Sequence, residues 1–578
     1  MPISADYFVV VVYLVAVVGV SFYNRSRSLS DMFVSKKLIP WWLASASLLM
    51  FWWNPAYDMM MMGVLVDKGY SGTWVLHSKL LLAGIAPIVF APLWAKLRFM
   101  TDNQFILFRF SGRGATILHQ FRAVYVGFFV VIFLVSFGMI GLNKLWPLLL
   151  SVSYEQAQGL TFLLLALAIT KNAFKQKVRT DAINAVLYLI TPLIGCVFIL
   201  QKFGGVNQVL ARLQAEFPEK VALVPNASSV MGGESLSNFL VFVLVQWWSV
   251  NILDSSGIEA QRYMSTRNGW AAFRAAFLPV LVIAVMSIFV GLIQDALLLQ
   301  HLTQNPAADT EAMYLESFIS YLPPGFRALA VLAFLMGFVT TIEAFLNWGA
   351  SLLVVDAYRT YWQPQRTDAH YRWITYLAMY LILGASALVV LYNDYMLGIQ
   401  KFIFSISAGV GPVFVLRWFW WRVNAWAQLS AMLGSLVLTL TFDFSYEHWT
   451  IFQDLIQSAQ TSLQLDYYPL KLTILTMLVT LLWITVMYLT PPDSSAHLQK
   501  FVQQVQPGGW WPKQWKTNRL KLSSKLRLIA IYATISVLPI FLIWEFKFGQ
   551  WWVGIGLVAL FTTLIFYTLN KMRANHQA

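Results

Sequence analysis

Charge is what this chain most lacks. Only 11% of its 578 residues are Asp, Glu, Lys or Arg, while 58% are hydrophobic. A soluble domain carries about a quarter charged residues, so a soluble globular protein is excluded. The single cysteine, Cys196, excludes an intramolecular disulfide. The seven histidines are scattered, with neither an HExxH pattern nor a Cys/His pairing, so the sequence offers no catalytic metal site. Low-complexity tracts are missing as well, and 25 Trp and 42 Phe exclude a disordered chain. No nucleophile–base constellation is visible, which argues against an enzyme, and no organic cofactor is implied.

What remains is a series of long, nearly charge-free runs, each able to cross a bilayer as a helix. They lie near 6–23, 41–64, 74–95, 123–148, 158–173, 181–202, 237–258, 270–298, 326–356, 372–392, 398–416, 424–443, 470–490, 527–545 and 549–570. The pattern predicts an all-α polytopic membrane protein with about fifteen transmembrane helices. The first run is expected to be retained, since Asp6 precedes it and its basic flank follows.

Lys and Arg number 40 against 26 Asp and Glu, a net charge of +14. In a soluble protein that excess would suggest nucleic acid; here it follows the positive-inside rule. With the N-terminus outside, thirty of the 40 basic residues fall in inner loops and ten elsewhere, which places the C-terminus in the cytoplasm.

Two spans must break. The second carries Asn54–Pro55 near its centre. Proline removes an amide donor and frees a carbonyl about one turn earlier, near Phe51, which suits a dehydrated sodium ion as well as it suits a plain kink. The seventh weakens at Asp254–Ser255–Ser256–Gly257. Paired interruptions five spans apart are the pattern of an inverted-repeat transporter with a midplane site. The ninth span adds Gly337, Thr340, Thr341 and Glu343. Carbonyls with adjacent hydroxyls suit a hard monovalent cation, although membrane threonines commonly bond only their own helix.

At these residues the chain resembles the sodium/solute symporter family of sodium-coupled glucose, sialic acid, proline, pantothenate and iodide carriers, in a bacterial branch of unassigned substrate. The resemblance rests on Ile39–Pro40–Trp41–Trp42, on FMTDNQFILFRFSGRGA from Phe99 to Ala115, and on Thr180–Asp181–Ala182–Ile183–Asn184. Ala260–Gln261–Arg262 and Leu346–Asn347–Trp348–Gly349–Ala350–Ser351 complete it. It implies a leucine-transporter-like core of five plus five inverted helices working by alternating access. The implied layout is an extra helix over 1–36, repeats over 37–205 and 237–420 around an outer loop at 206–236, further helices over 421–490, a basic inner loop at 491–526 and two last helices over 527–578. By position it assigns sodium to Met50, Trp53, Gly337, Thr340 and Thr341, and sodium exit to Asp181. A bacterial inner-membrane location follows, with a small organic solute, sodium and the lipid bilayer as partners and no nucleic acid. Where the family carries small residues, this chain has Trp52, Trp53, Asn54 and Pro55, and Glu343 replaces a small or hydroxyl residue.

Intramembrane charge costs roughly 2.5–3.5 kcal/mol per residue, so it is rarely idle. Glu343 is a candidate to strengthen sodium binding, carry a proton or meet a cationic solute. Asp58 and Lys79, each about 7–9 Å deep on consecutive spans, are expected to pair, as a structural tie or an outer gate. Asn54, Tyr57, Trp247 and Ser256, beside the two breaks, complete the solute or coupling candidates. Trp41, Trp42, Trp510 and Trp511 read as interfacial anchors, and the basic stretch after them as a lipid-facing segment. The leading reading is a sodium-coupled importer. A proton-coupled carrier using Glu343 and a non-transporting sensor closed by Trp52 and Trp53 stay open.

Overall fold

Apolar runs in lipid can satisfy their backbone amides only within a helix. The computed structural model of the chain is helical accordingly, and describes residues 12, 28–33, 39–78, 87, 89–169, 174–225, 234–249, 253–304, 309–515, 534, 538–549 and 551–577. Among the described residues there is no strand, only an isolated bridge between Trp420 and Trp510.

The elements that build the site are α1 (Trp41–Trp52), α2 (Pro55–Gly72), α3 (Gly112–Leu150), α4 (Phe174–Lys202), α5 (Leu236–Leu244), α6 (Ile258–Met264), α7 (Gly269–Thr303) and α8 (Phe326–Trp362). Among the described residues, seven helices are long and apolar enough to cross a membrane: α3, α4, α7, α8, Asp368–Leu391, Ala425–His448 and Tyr467–Leu489. The shortfall against about fifteen has physical causes. The second and seventh expected spans are each broken into shorter helices. The span expected at 398–416 is also two helices, Met396–Ser405 and Gly411–Phe419. The fifth, Tyr154–Ala168, has only 15 residues. The runs at 6–23, 74–95 and 527–545 fall wholly or partly outside the described residues, and the run at 549–570 shows a shorter apolar helix, Trp552–Ile565.

Helix starts follow the capping residues. Asn268 and Asn424 accept from the amides three residues on, at 2.9 and 3.0 Å, and Ser153 with Gln156 forms a capping box. The most apolar stretch of α8 is 78% buried, that of Tyr467–Leu489 only 28%. α8 is therefore the central post, and Tyr467–Leu489 offers most of its surface to lipid.

The Phe99–Ala115 motif is a structural knot. Thr101 Oγ1 donates to Asp356 at 2.9 Å, Asp102 pairs with Arg122 at 2.5 Å, and Arg109 donates to the carbonyls of Arg417, Trp420 and Val423 at 2.6–3.1 Å. One expectation is corrected here. Trp511 is no interfacial anchor but is buried against the Arg109 guanidinium, 5.1 Å from its ring, whereas Trp510 and Trp42 are exposed. Arg109 needs an aromatic cover because it is itself fully buried. The outer loop contributes two short helices, Val206–Glu216 and Pro218–Val221. Thr450–Leu463 and Ser495–Val505 were not expected. The latter buries Leu498, Phe501, Val502 and Val505 along one face.

Candidate ion and solute site

The break in the second span lies at Trp53 and Asn54, whose φ/ψ of −132/115° and −149/167° are extended. Pro55 then opens α2 at its first turn, where a missing amide costs least. The helical ladder ends with the Trp53 amide donating to the Leu49 carbonyl at 2.8 Å. Phe51 O, deprived by Pro55 of its ordinary partner, meets only the Asn54 Nδ2, at 3.5 Å, among the described residues.

α8 crosses this break closely. A Cβ on Gly337 would stand 2.7 Å from Pro55 Cδ, so only glycine permits the approach. One turn on, Thr341 Oγ1 donates to the Gly337 carbonyl at 2.9 Å and lies 3.5 Å from the Met50 carbonyl. Met50, Gly337 and Thr341 thus converge in one place, each buried. Of the other two candidates, the Thr340 hydroxyl is engaged elsewhere, as is the side chain of Trp53, whose candidacy rests on its carbonyl. Thr340 Oγ1 accepts from Asn184 Nδ2 on α4 at 2.5 Å, and the Trp53 indole donates to Asp58 at 2.9 Å.

The second break follows the 3₁₀ turn Gln246–Ser249. Ser255 and Gly257 take φ of 56° and 82°, and a Cβ on Gly257 would lie 2.8 Å from Trp348 Cζ2. Asp254 is committed to structure: it binds Arg417 at 2.6 Å and the Trp418 indole at 2.6 Å.

Both breaks and Thr341 of α8 border a cavity of about 390 Å³. Of the solute and coupling candidates, Asn54, Tyr57, Asp58 and Ser256 line it, and Trp52 and Trp53 form part of its wall. Trp247 does not line it, being stacked on Trp248 with ring centres 3.8 Å apart. Glu343 lies away from it, opposite Lys177 at 3.6 Å. Lys79, the expected partner of Asp58, lies outside the described residues. The donors to the Asp58 carboxylate are neutral: the Trp53 indole at 2.9 Å and the Tyr188 hydroxyl at 2.6 Å.

Asp181 sits on α4, where it accepts from Ser47 of α1 and faces Arg262 of α6 at 3.6 Å. Arg262 also donates to Ser47 at 3.1 Å, so one buried cluster ties α1, α4 and α6 together. Sequence reasoning missed three residues around the cavity. Glu259 lines it and accepts from the Trp52 indole at 2.8 Å, Gln294 donates to the Asp58 carbonyl at 3.1 Å, and Asn184 holds Thr340. For Glu259 there was a signal, a carboxylate two residues past a glycine break; Gln294 and Asn184 stood out only through packing.

Comparison with known proteins places this geometry. The Sodium:solute symporter family profile matches residues 33–436. A sodium/glucose cotransporter of Vibrio parahaemolyticus is 22% identical over 76% of this chain and 85% of its own length. The high-affinity proline transporter PutP of Bacillus subtilis is 22% identical over 67% and 82%. Among solved structures, a Na+-coupled sialic acid symporter in a substrate-bound outward-open state superposes with a TM-score of 0.66 at 18% identity, covering 85% of this chain and 99% of that one. The likeness establishes a leucine-transporter-like, all-α membrane fold. The chain belongs to the sodium:solute symporter family.

Proposed function

We propose that the chain imports a small organic solute by coupling it to sodium through alternating access. The observation that carries this reading is the convergence of Thr341 Oγ1 with the Gly337 and Met50 carbonyls beside a helix break. Carbonyl and hydroxyl oxygens replace the water shell of a hard cation, and a broken helix supplies carbonyls that an intact one would use internally. Thr340 and the Trp53 carbonyl join the shell once Asn184 and the local backbone adjust.

In the same scheme the Asp181–Arg262–Ser47 cluster closes the inner route and opens for sodium to leave, with Asp181 as its last protein contact. The repeats 37–205 and 237–420 move relative to each other, in a bacterial inner membrane with the N-terminus outside and the C-terminus in the cytoplasm. Glu343 favours sodium over a proton as coupling ion, since its carboxylate already faces Lys177 and lies outside the cavity.

A ligand that binds only the folded state stabilises it by mass action, about 2.7 kcal/mol at a hundred times its Kd. The expected result is a melting temperature that rises with sodium but not potassium in the purified protein, and a Thr341→Ala variant in which the rise is lost. A wild type indifferent to sodium would refute the reading.

A further inference from the structure

Two buried carboxylates on the cavity wall, Asp58 and Glu259, have no ion-pair partner among the described residues. Five buried carboxylates elsewhere each have a basic partner, Asp102 with Arg122, Asp181 with Arg262, Asp254 with Arg417, Asp295 with Lys547 and Glu311 with Lys144, all within 3.6 Å, whereas Glu234 is held by Asn238 and the Ser235 amide. Asp58 and Glu259, 2% and 8% exposed, also line the cavity, yet among the described residues neither has a basic side chain within 4 Å. Their donors are the neutral indoles of the consecutive residues Trp53 and Trp52 and the Tyr188 hydroxyl. Neutral donors fix a carboxylate in place without pairing its charge, so the ionised form at this depth is costly until a cation meets it. Lys547, which also lines the cavity, has its charge committed to Asp295 at 2.5 Å.

A second, independent observation points to a ligand. Four polar atoms on the cavity wall are buried without a hydrogen-bond partner among the described residues: Asn54 Oδ1, Ser249 Oγ, Ser256 Oγ and Ser407 Oγ. Each belongs to a residue no more than 7% exposed. Native proteins seldom leave buried polar atoms unpaired, so these four are available to a polar group in the cavity. Phe51, Tyr57 and Phe345 add aromatic surface.

We propose, resting on the importer reading above, that the transported solute is an organic cation, an ammonium group held by Asp58 and Glu259 and flanked by the Trp52 and Trp53 rings. Aromatic faces attract a weakly hydrated ammonium, and the unpaired amide and hydroxyl atoms bond the polar part of the same molecule. A cavity of about 390 Å³ suits an organic molecule rather than a bare metal ion.

The test is a series of near-isosteric probes on the purified full-length protein in sodium: phenethylammonium, phenethyl alcohol and phenylacetate, with tetramethylammonium as a second cation. Thermal stabilisation by both cations is expected, with the alcohol and the anion binding at least about tenfold more weakly. Glu259→Gln is expected to weaken the cations about ten- to a hundredfold while keeping its sodium-dependent rise, which shows that it folds; Asp58→Asn provides a second variant. Equal or tighter binding of phenylacetate or phenethyl alcohol, no stabilisation by either cation, or cation binding unchanged in both variants would each overturn the proposal. So would sodium stabilisation lost in Glu259→Gln but kept in Thr341→Ala, which would make the carboxylates an inorganic cation site. Cation binding that depends on Glu259 in a wild type indifferent to sodium would instead sink the sodium reading and leave this one standing.

Discussion

Gly337 sets how near α8 comes to the broken helix, and a single methyl there has a readable consequence. With Pro55 Cδ only 2.7 Å from the added carbon, and Pro55 fixed in its ring, the neighbour cannot turn aside. Gly337→Ala should therefore cost about 1–3 kcal/mol in chemical unfolding of the detergent-solubilised protein. It should also weaken sodium, because Thr341 and the Met50 carbonyl are pushed apart; an alanine variant with unchanged stability and sodium affinity would show that the helices have slack. The same logic gives Asp181 and Arg262 a larger stake. Removing one partner of a buried ion pair leaves the other charge stranded, so Arg262→Met should cost about 3–5 kcal/mol by the same measurement. Glu343 differs from both: its pairing with Lys177 accounts for its tolerance in the membrane without a role at the cavity.

At the level of elements, the two breaks divide the labour. The first exposes carbonyls to α8; the second, at Ser255 and Gly257, turns the chain so that Glu259 reaches the cavity. Restoring an amide with Pro55→Ala lets the α1 ladder continue across Asn54, and sodium should then stabilise the protein less than it does the wild type; an undiminished rise would mean that the extended Trp53–Asn54 geometry does not depend on proline. Both breaks were legible in the sequence because proline and an Asp–Ser–Ser–Gly run carry their own backbone chemistry. The break between Met396–Ser405 and Gly411–Phe419 was not, since Gly409 at φ 72° in an otherwise apolar run looks like an ordinary membrane glycine. Long-range contacts were equally silent. Nothing local says that Thr340 meets Asn184 or that Trp511 covers Arg109. Those partners are fixed by tertiary packing across hundreds of residues.

The whole molecule is a central helix, α8, held on one side to the first break and on another to a buried belt of charge. Arg109, Arg122 and Arg417 tie connecting segments to α8 and its neighbours through carbonyls and carboxylates. Family membership was legible because it rests on short contiguous runs such as Phe99–Ala115, which holds Arg109 of this belt, whereas the solute was not, because the cavity is assembled from single residues on many elements. If the Asp181–Arg262–Ser47 cluster closes the inner route, Arg262→Met should also raise amide hydrogen exchange in Ile258–Met264, and sodium should suppress that rise by favouring the closed inner side; exchange unchanged from wild type would reduce the cluster to packing. The most direct test of the account is equilibrium binding of radiolabelled sodium to purified wild type and Thr341→Ala. Saturable binding in the wild type, displaced by unlabelled sodium but not potassium and weakened at least about tenfold by loss of the hydroxyl, is the predicted result. Equal binding in the two proteins, or none that saturates, would contradict the placement of the ion between Thr341, Gly337 and Met50.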